Sequence, residues 1–140
     1  MKKANFFLIA LSIILFASCS KSSDSISTTT VNNTVVSGTW RITYYWDTDH
    51  EETSNYSGYA FTFSSGNTLT AVNGGTTVSG TWTTMLDDSK TKLVISFATP
   101  ANFAKISNDW HVIERTDTKI RMQDVSGGGS GTDYLTFEKN

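Results

Sequence analysis

Side chains able to do chemistry are few in this chain. Two histidines, His50 and His111, and one cysteine, Cys19, stand among 140 residues. A serine or cysteine nucleophile needs a base within hydrogen-bond reach. The serines fall in turn-like stretches, and His111 lies in an alternating segment beside apolar Ile113. No nucleophile and base can be paired, so the chain is expected not to be an enzyme. Glycosidase chemistry would need two carboxylates across a cleft. Asp124 and Asp133 flank the Gly-rich stretch 126–131 and can approach each other, but each reads first as a strand-end cap in water. The loop 47–52, Asp-Thr-Asp-His-Glu-Glu, offers five potential metal ligands in six positions. It lacks the glycine at position six and the glutamate at position twelve of an EF-hand loop, so it reads as a solvated acidic loop with no metal. No cofactor is expected.

The elements that must position these residues follow a two-residue period from Gly38 onward, broken by turn residues. Alternation of this kind marks strands. Eight are predicted, at about 38–47, 57–64, 67–73, 76–85, 91–98, 109–115, 118–125 and 132–139. Pro100, the only proline, opens a stretch that predicts one or two helical turns near residues 100–106. Eight sequential antiparallel strands, with no long helix and no βαβ spacing, predict an all-β fold, an eight-stranded up-and-down barrel whose closure removes exposed edges. In such a barrel Trp40, Tyr44, Trp46, Phe61, Phe63, Trp82, Phe97, Trp110 and Phe137 would all face inward. The longer connections gather at one rim, where Tyr44, Trp46, Phe61, Phe97 and Trp110 are the candidate ligand-binding residues. The word VSGTW occurs twice, ending at Trp40 and at Trp82. Both tryptophans are expected at the opposite, closed end, with Gly38 and Gly80 leaving room for neighbouring rings.

The N-terminus reads differently. A short positive stretch with Lys2 and Lys3 precedes an apolar run from Phe6 to Phe16, too short to cross a membrane and of signal-peptide form. Leu15-Phe16-Ala17-Ser18-Cys19 resembles the bacterial lipobox. That resemblance implies cleavage before Cys19, acylation of its sulfur, and a cell-envelope protein anchored in the outer membrane, on its periplasmic or surface face. The expected organisation is a signal peptide at 1–18, a flexible Ser/Thr-rich tether at 19–35 and one barrel domain at 36–140. Without Lys2 and Lys3, nine basic side chains face thirteen acidic ones, a net charge of −4. That balance argues against nucleic acid as a partner.

Gly38-Thr39-Trp40 at the start of the first strand resembles the GxW motif of the lipocalins, eight-stranded barrels that commonly hold small apolar ligands. The lipobox, the second Gly-Thr-Trp and the short chain extend the likeness to the lipocalin-like domains of Gram-negative lipoproteins, over about residues 36–140. Lipocalins usually carry an Arg near the last strands to cover the motif's Trp. The last strand has none, which leaves Arg115 or Arg121 for that packing. The resemblance implies a monomeric, membrane-anchored binding module for a small apolar or amphipathic ligand at the open end. The alternative is a filled barrel that binds a protein or glycan through its top loops.

Overall fold

The computed structural model describes residues 26–125 and 131–140. The signal peptide, Cys19 and most of the Gly-rich stretch lie outside the described residues. Helix α1 (Thr28–Val35) comes first, followed by β1 (Trp40–Asp47), a two-residue strand β2 (His50–Glu51) and a 3-10 turn (Thr53–Tyr56). Then come β3 (Ala60–Phe63), β4 (Thr68–Asn73), β5 (Thr76–Asp87), β6 (Lys90–Ser96), helix α2 (Ala101–Lys105), β7 (Asn108–Arg115), β8 (Lys119–Val125) and β9 (Thr132–Lys139). Each strand from β3 to β9 pairs antiparallel with the next, and β1 pairs with both β9 and β3. Eight strands thus close into a barrel, with β2 folded back on β1 as a stub. The β1–β3 seam is thin, a single register pair of Trp40 with Phe61. Beside it the 3-10 turn takes over as a surrogate edge: the Tyr45 amide donates to Thr53 Oγ at 2.8 Å, and the Glu52 amide donates to the Tyr45 carbonyl at 3.0 Å.

Part of the expected tether is structured. Ser27 and Thr30 close a reciprocal capping box, and α1 follows, with Val31 and Val35 buried one turn apart. The helix lies across the end of the barrel where Trp40 sits. Trp40 Nε1 donates to the Val35 carbonyl at 2.8 Å, Thr84 Oγ1 donates to Asn32 at 2.9 Å, and Thr91 Oγ1 donates to the Ile26 carbonyl at 2.9 Å. Two valines bury only a modest apolar area, roughly 1.5–3 kcal/mol each, but they seal the floor of the barrel.

Strand β1 departs from strict alternation. Trp40 and Ile42 face in, a bulge falls between Ile42 and Tyr44, and Tyr45 is the next buried residue. One extra residue reverses inside and outside. Tyr44 and Trp46, expected inside, therefore point outward.

The interior is packed with rings. Phe61 meets Phe103 and Phe137 at 6.0 and 5.2 Å between centroids, Phe97 meets Phe103 at 5.1 Å, and Phe63 meets Trp82 and Phe137 at 5.6 and 5.5 Å. Most of these pairs are edge-to-face, the arrangement favoured by the ring quadrupole. Trp82, near the floor, donates from Nε1 to the Ser64 carbonyl at 2.9 Å. A Cβ on Gly80 would lie 2.5 Å from the Phe97 ring and 2.3 Å from the Ser96 carbonyl, so its bareness makes room for a ring. Gly38 does not do this. It is exposed at φ +94°, and its service is the left-handed turn into β1.

Candidate functional site

The rim expected to be open is stoppered by α2. Phe103 on this helix is fully buried and touches Tyr56, Tyr59, Phe61 and Phe97. Three barrel side chains hold the helix by its orphan carbonyls, which a short helix cannot satisfy itself. Tyr56 Oη donates to the Asn102 carbonyl at 2.6 Å, Tyr45 Oη to that of Lys105 at 3.1 Å, and Trp110 Nε1 to that of Ile106 at 2.9 Å. Burial, and then the charge of Asp47, pushes the Tyr45 phenol well above its ordinary pKa; burial does the same to Tyr56. Both remain donors at any physiological pH. Phe61, Phe97 and Trp110 are therefore core beneath a stopper and do not border a mouth.

The acidic loop belongs to the same closure. Ligand atoms of Asp47, His50 and Glu52 lie within 4.8 Å of one another. The Lys105 ammonium, from α2, bonds Glu52 and stands 3.5 Å from Asp47. His50 sits with Nδ1 2.5 Å from Asp49 and Nε2 2.8 Å from Glu52. Hydrogen bonds from Lys105 and then His50 hold the Glu52 carboxyl below its usual range, and Asp49 and Glu52 in turn raise His50. Lys105 and His50 thus bridge Asp47, Asp49 and Glu52, and the loop ties β2 to the stopper.

Asp124 and Asp133 do meet, as direct cross-strand partners at the inner face of β8 and β9. Each is already engaged: Asp124 accepts from Asn108 Nδ2 at 2.7 Å, and Asp133 accepts from the Thr48 amide at 2.7 Å. His111 lies on the outer face of β7 in register with Lys92 and Gln123. Burial first, then Lys90 and Lys92, lowers its pKa.

Larger grooves flank α1, of about 470 Å³ beside Arg115 and Lys139 and about 330 Å³ beside Trp82, and another lies on the outer wall. Beyond the bulge, Tyr44 stands opposite Thr136, which stands opposite Arg121; one step up, Trp46 stands opposite Tyr134, and Tyr134 opposite Gln123. These six side chains share one face of β1, β9 and β8. A groove of about 300 Å³ runs among Tyr44, Tyr134, Thr136 and Arg121. Tyr44 is 37% exposed, high for a tyrosine in a strand. Sequence reasoning had Tyr44 and Trp46 in a site, but on the wrong side of the wall, and missed Tyr134 and Arg121, whose outward placement follows from the same parity.

The cover on the GxW tryptophan is also not where it was expected. Lys139 carries its ammonium 5.4 Å from the Trp40 ring centroid. Arg115 instead donates to Thr34 Oγ1 at 2.9 Å, helping to hold α1, and Arg121 pairs with Glu114 at 3.0 Å.

No family model and no curated protein matches this chain. A solved structure does: a DUF4847 family protein from Bacteroides vulgatus, 18% identical, with a TM-score of 0.52 over 79% of this chain and 97% of the other. At that identity the likeness establishes a common barrel fold.

Proposed function

We propose that this protein is a membrane-tethered, non-catalytic binding module that works from its outer surface, with the barrel as a rigid scaffold. The observation that carries this reading is the filled interior, with α1 across one end and Phe103 of α2 driven into the other. An apolar ligand in the upper barrel would have to displace α2 and break its three carbonyl bonds to Tyr45, Tyr56 and Trp110. The engagement of His50, Asp124 and Asp133 in structural contacts supports a non-enzymatic role. The lipobox-like sequence before Cys19 supports the tether.

Native mass spectrometry of the mature protein, purified gently from its own membranes and freed of its anchor, tests the scaffold reading. The expected result is the bare protein mass; a reproducible apolar adduct would overturn it. For the tether, Cys19→Ala is expected to move the protein from the membrane to the soluble fraction.

A further inference from the structure

We propose that the α1 end of the barrel rests on the lipid surface, with Met85 and Leu86, at the tip of the β5–β6 hairpin, seated in the bilayer interface. The inference deepens the reading that the chain is tethered through Cys19 and rests on it. Strand β5 outruns its neighbour: β4 begins at Thr68 opposite Thr81, and Thr83 to Asp87 pair with β6 alone. Helix α1 flanks only the root of this overhang, where Thr84 Oγ1 donates to Asn32. Beyond that contact Met85 is 43% exposed and Leu86 67%, the most of any large apolar side chain among the described residues. Neighbours in a strand point to opposite sides, so both flanks of the tip are apolar. Val36, at the end of α1, is 40% exposed and lines the groove that runs past Trp82 and Thr84 toward the tip.

Two observations select a lipid surface as the occupant. The first is where the chain leaves. Ile26, at which the described chain begins, is fastened to β6 at the root of the same hairpin by the Thr91 bond at 2.9 Å. A leash of at most about 25 Å from Cys19 therefore arrives beside the apolar tip. The second is the distribution of charge, counted over side chains. At the α1 end Arg41, Lys90, Arg115, Lys119 and Lys139 face Asp87, Asp88, Asp117 and Glu138, five against four, a net +1. At the far rim Lys105 faces Asp47, Asp49, Glu51, Glu52, Asp124 and Asp133, one against six, a net −5 with His50 neutral. On the wall between, Lys92 and Arg121 cancel Asp109 and Glu114. An anionic surface thus repels the far rim and tolerates the α1 end. Val72 and Val125, exposed at the far rim, stand on β4 and β8, four strands apart in the ring, and form no patch. A surplus of one charge attracts lipid only slightly, so burial of the apolar tip drives the contact.

The test couples the mature chain through its one cysteine, Cys19, to a maleimide lipid in phosphatidylcholine nanodiscs doped with a gadolinium-chelate lipid. Anchoring is then chemical and does not depend on acylation in the cell, which the Cys19→Ala fractionation reports separately. Paramagnetic broadening of backbone amides is expected to peak at Met85 and Leu86, to extend to Val36 and to fall away toward Val72 and Val125. Because the leash alone would bring the α1 end near the disc, two variants separate contact from proximity. Leu86→Glu, at an exposed position, is expected to lower the docked fraction about tenfold with the rest of the spectrum unchanged. Lengthening the leash by about ten Gly/Ser residues before Ile26 is expected to leave the pattern in place. Broadening that fades with leash length and ignores Leu86→Glu, or that spreads evenly over the barrel, overturns the docking and leaves the tether standing. Contact that appears only when phosphatidylglycerol is added overturns the apolar account. A dimer of the unanchored chain in sedimentation, dissolved by Leu86→Glu, assigns the tip to a second copy and overturns the lipid.

Discussion

His50 and His111 sit in opposite electrostatic company, and their titrations should separate. His50 is raised by Asp49 and Glu52. Its protonated form favours the folded loop, so that contribution is complete below its ordinary value of 6.5 and is lost as pH rises through the higher folded value. His111 is lowered by burial and by Lys90 and Lys92. Its contribution is present above 6.5 and is lost as pH falls through the depressed folded value. An NMR pH titration of the imidazole protons is expected to place the two midpoints on either side of 6.5. Gly80→Ala makes a second prediction at this scale. The new methyl would meet backbone at Ser96 and the ring of Phe97, so urea unfolding is expected to show a loss of about 1–3 kcal/mol. The double VSGTW made Gly80 legible in advance, because a bare position two residues from a buried Trp points to ring packing. The side chosen by Tyr44 was not legible. Trp40 to Trp46 alternates cleanly, and nothing in those letters marks Thr43 as the extra residue.

Helix α1 shows why an element can hide. Thr28–Val35 reads TTTVNNTV, β-branched and amide residues that disfavour isolated helix, and it looks like linker. Only tertiary packing of Val31 and Val35 turns it into the floor of the barrel. Its capping box was spelled in the sequence, at Ser27 and Thr30, but with Thr in place of the usual Glu or Gln. Ser27→Ala is accordingly expected to cost about 1 kcal/mol of stability by chemical denaturation. Helix α2 was easier to foresee because Pro100 announces its start. That it would close the rim was not, since the direction of Phe103 is set by Tyr45, Tyr56 and Trp110 from three distant segments. Phe103→Ala is expected to cost about 3–5 kcal/mol and to leave an apolar void. Xenon or benzene should then bind the variant and not the wild type, as measured by chemical-shift perturbation.

At the scale of the molecule, the barrel was legible because eight period-two segments in antiparallel sequence close most economically on themselves. The choice between an open and a filled barrel was not, because α1 and α2 contribute stoppers from stretches without strand periodicity. Since both share one core with the strands, thermal unfolding is expected to be a single transition, with far-UV ellipticity and tryptophan fluorescence coinciding. Separate transitions would mean that a helix melts independently. The folded floor would also change the mechanics of the proposed attachment. If Cys19 carries the anchor, only seven residue steps separate it from Ile26, a contour of about 25 Å at full stretch. Any pull from the membrane would arrive first at the α1 end of the barrel. There it meets the short helix, the bond from Thr91 to Ile26 and the valines beneath, before it can reach β1. Under tension the helix would yield turn by turn and lengthen the leash while the strands stay closed, a shock absorber between a fluid bilayer and a rigid domain.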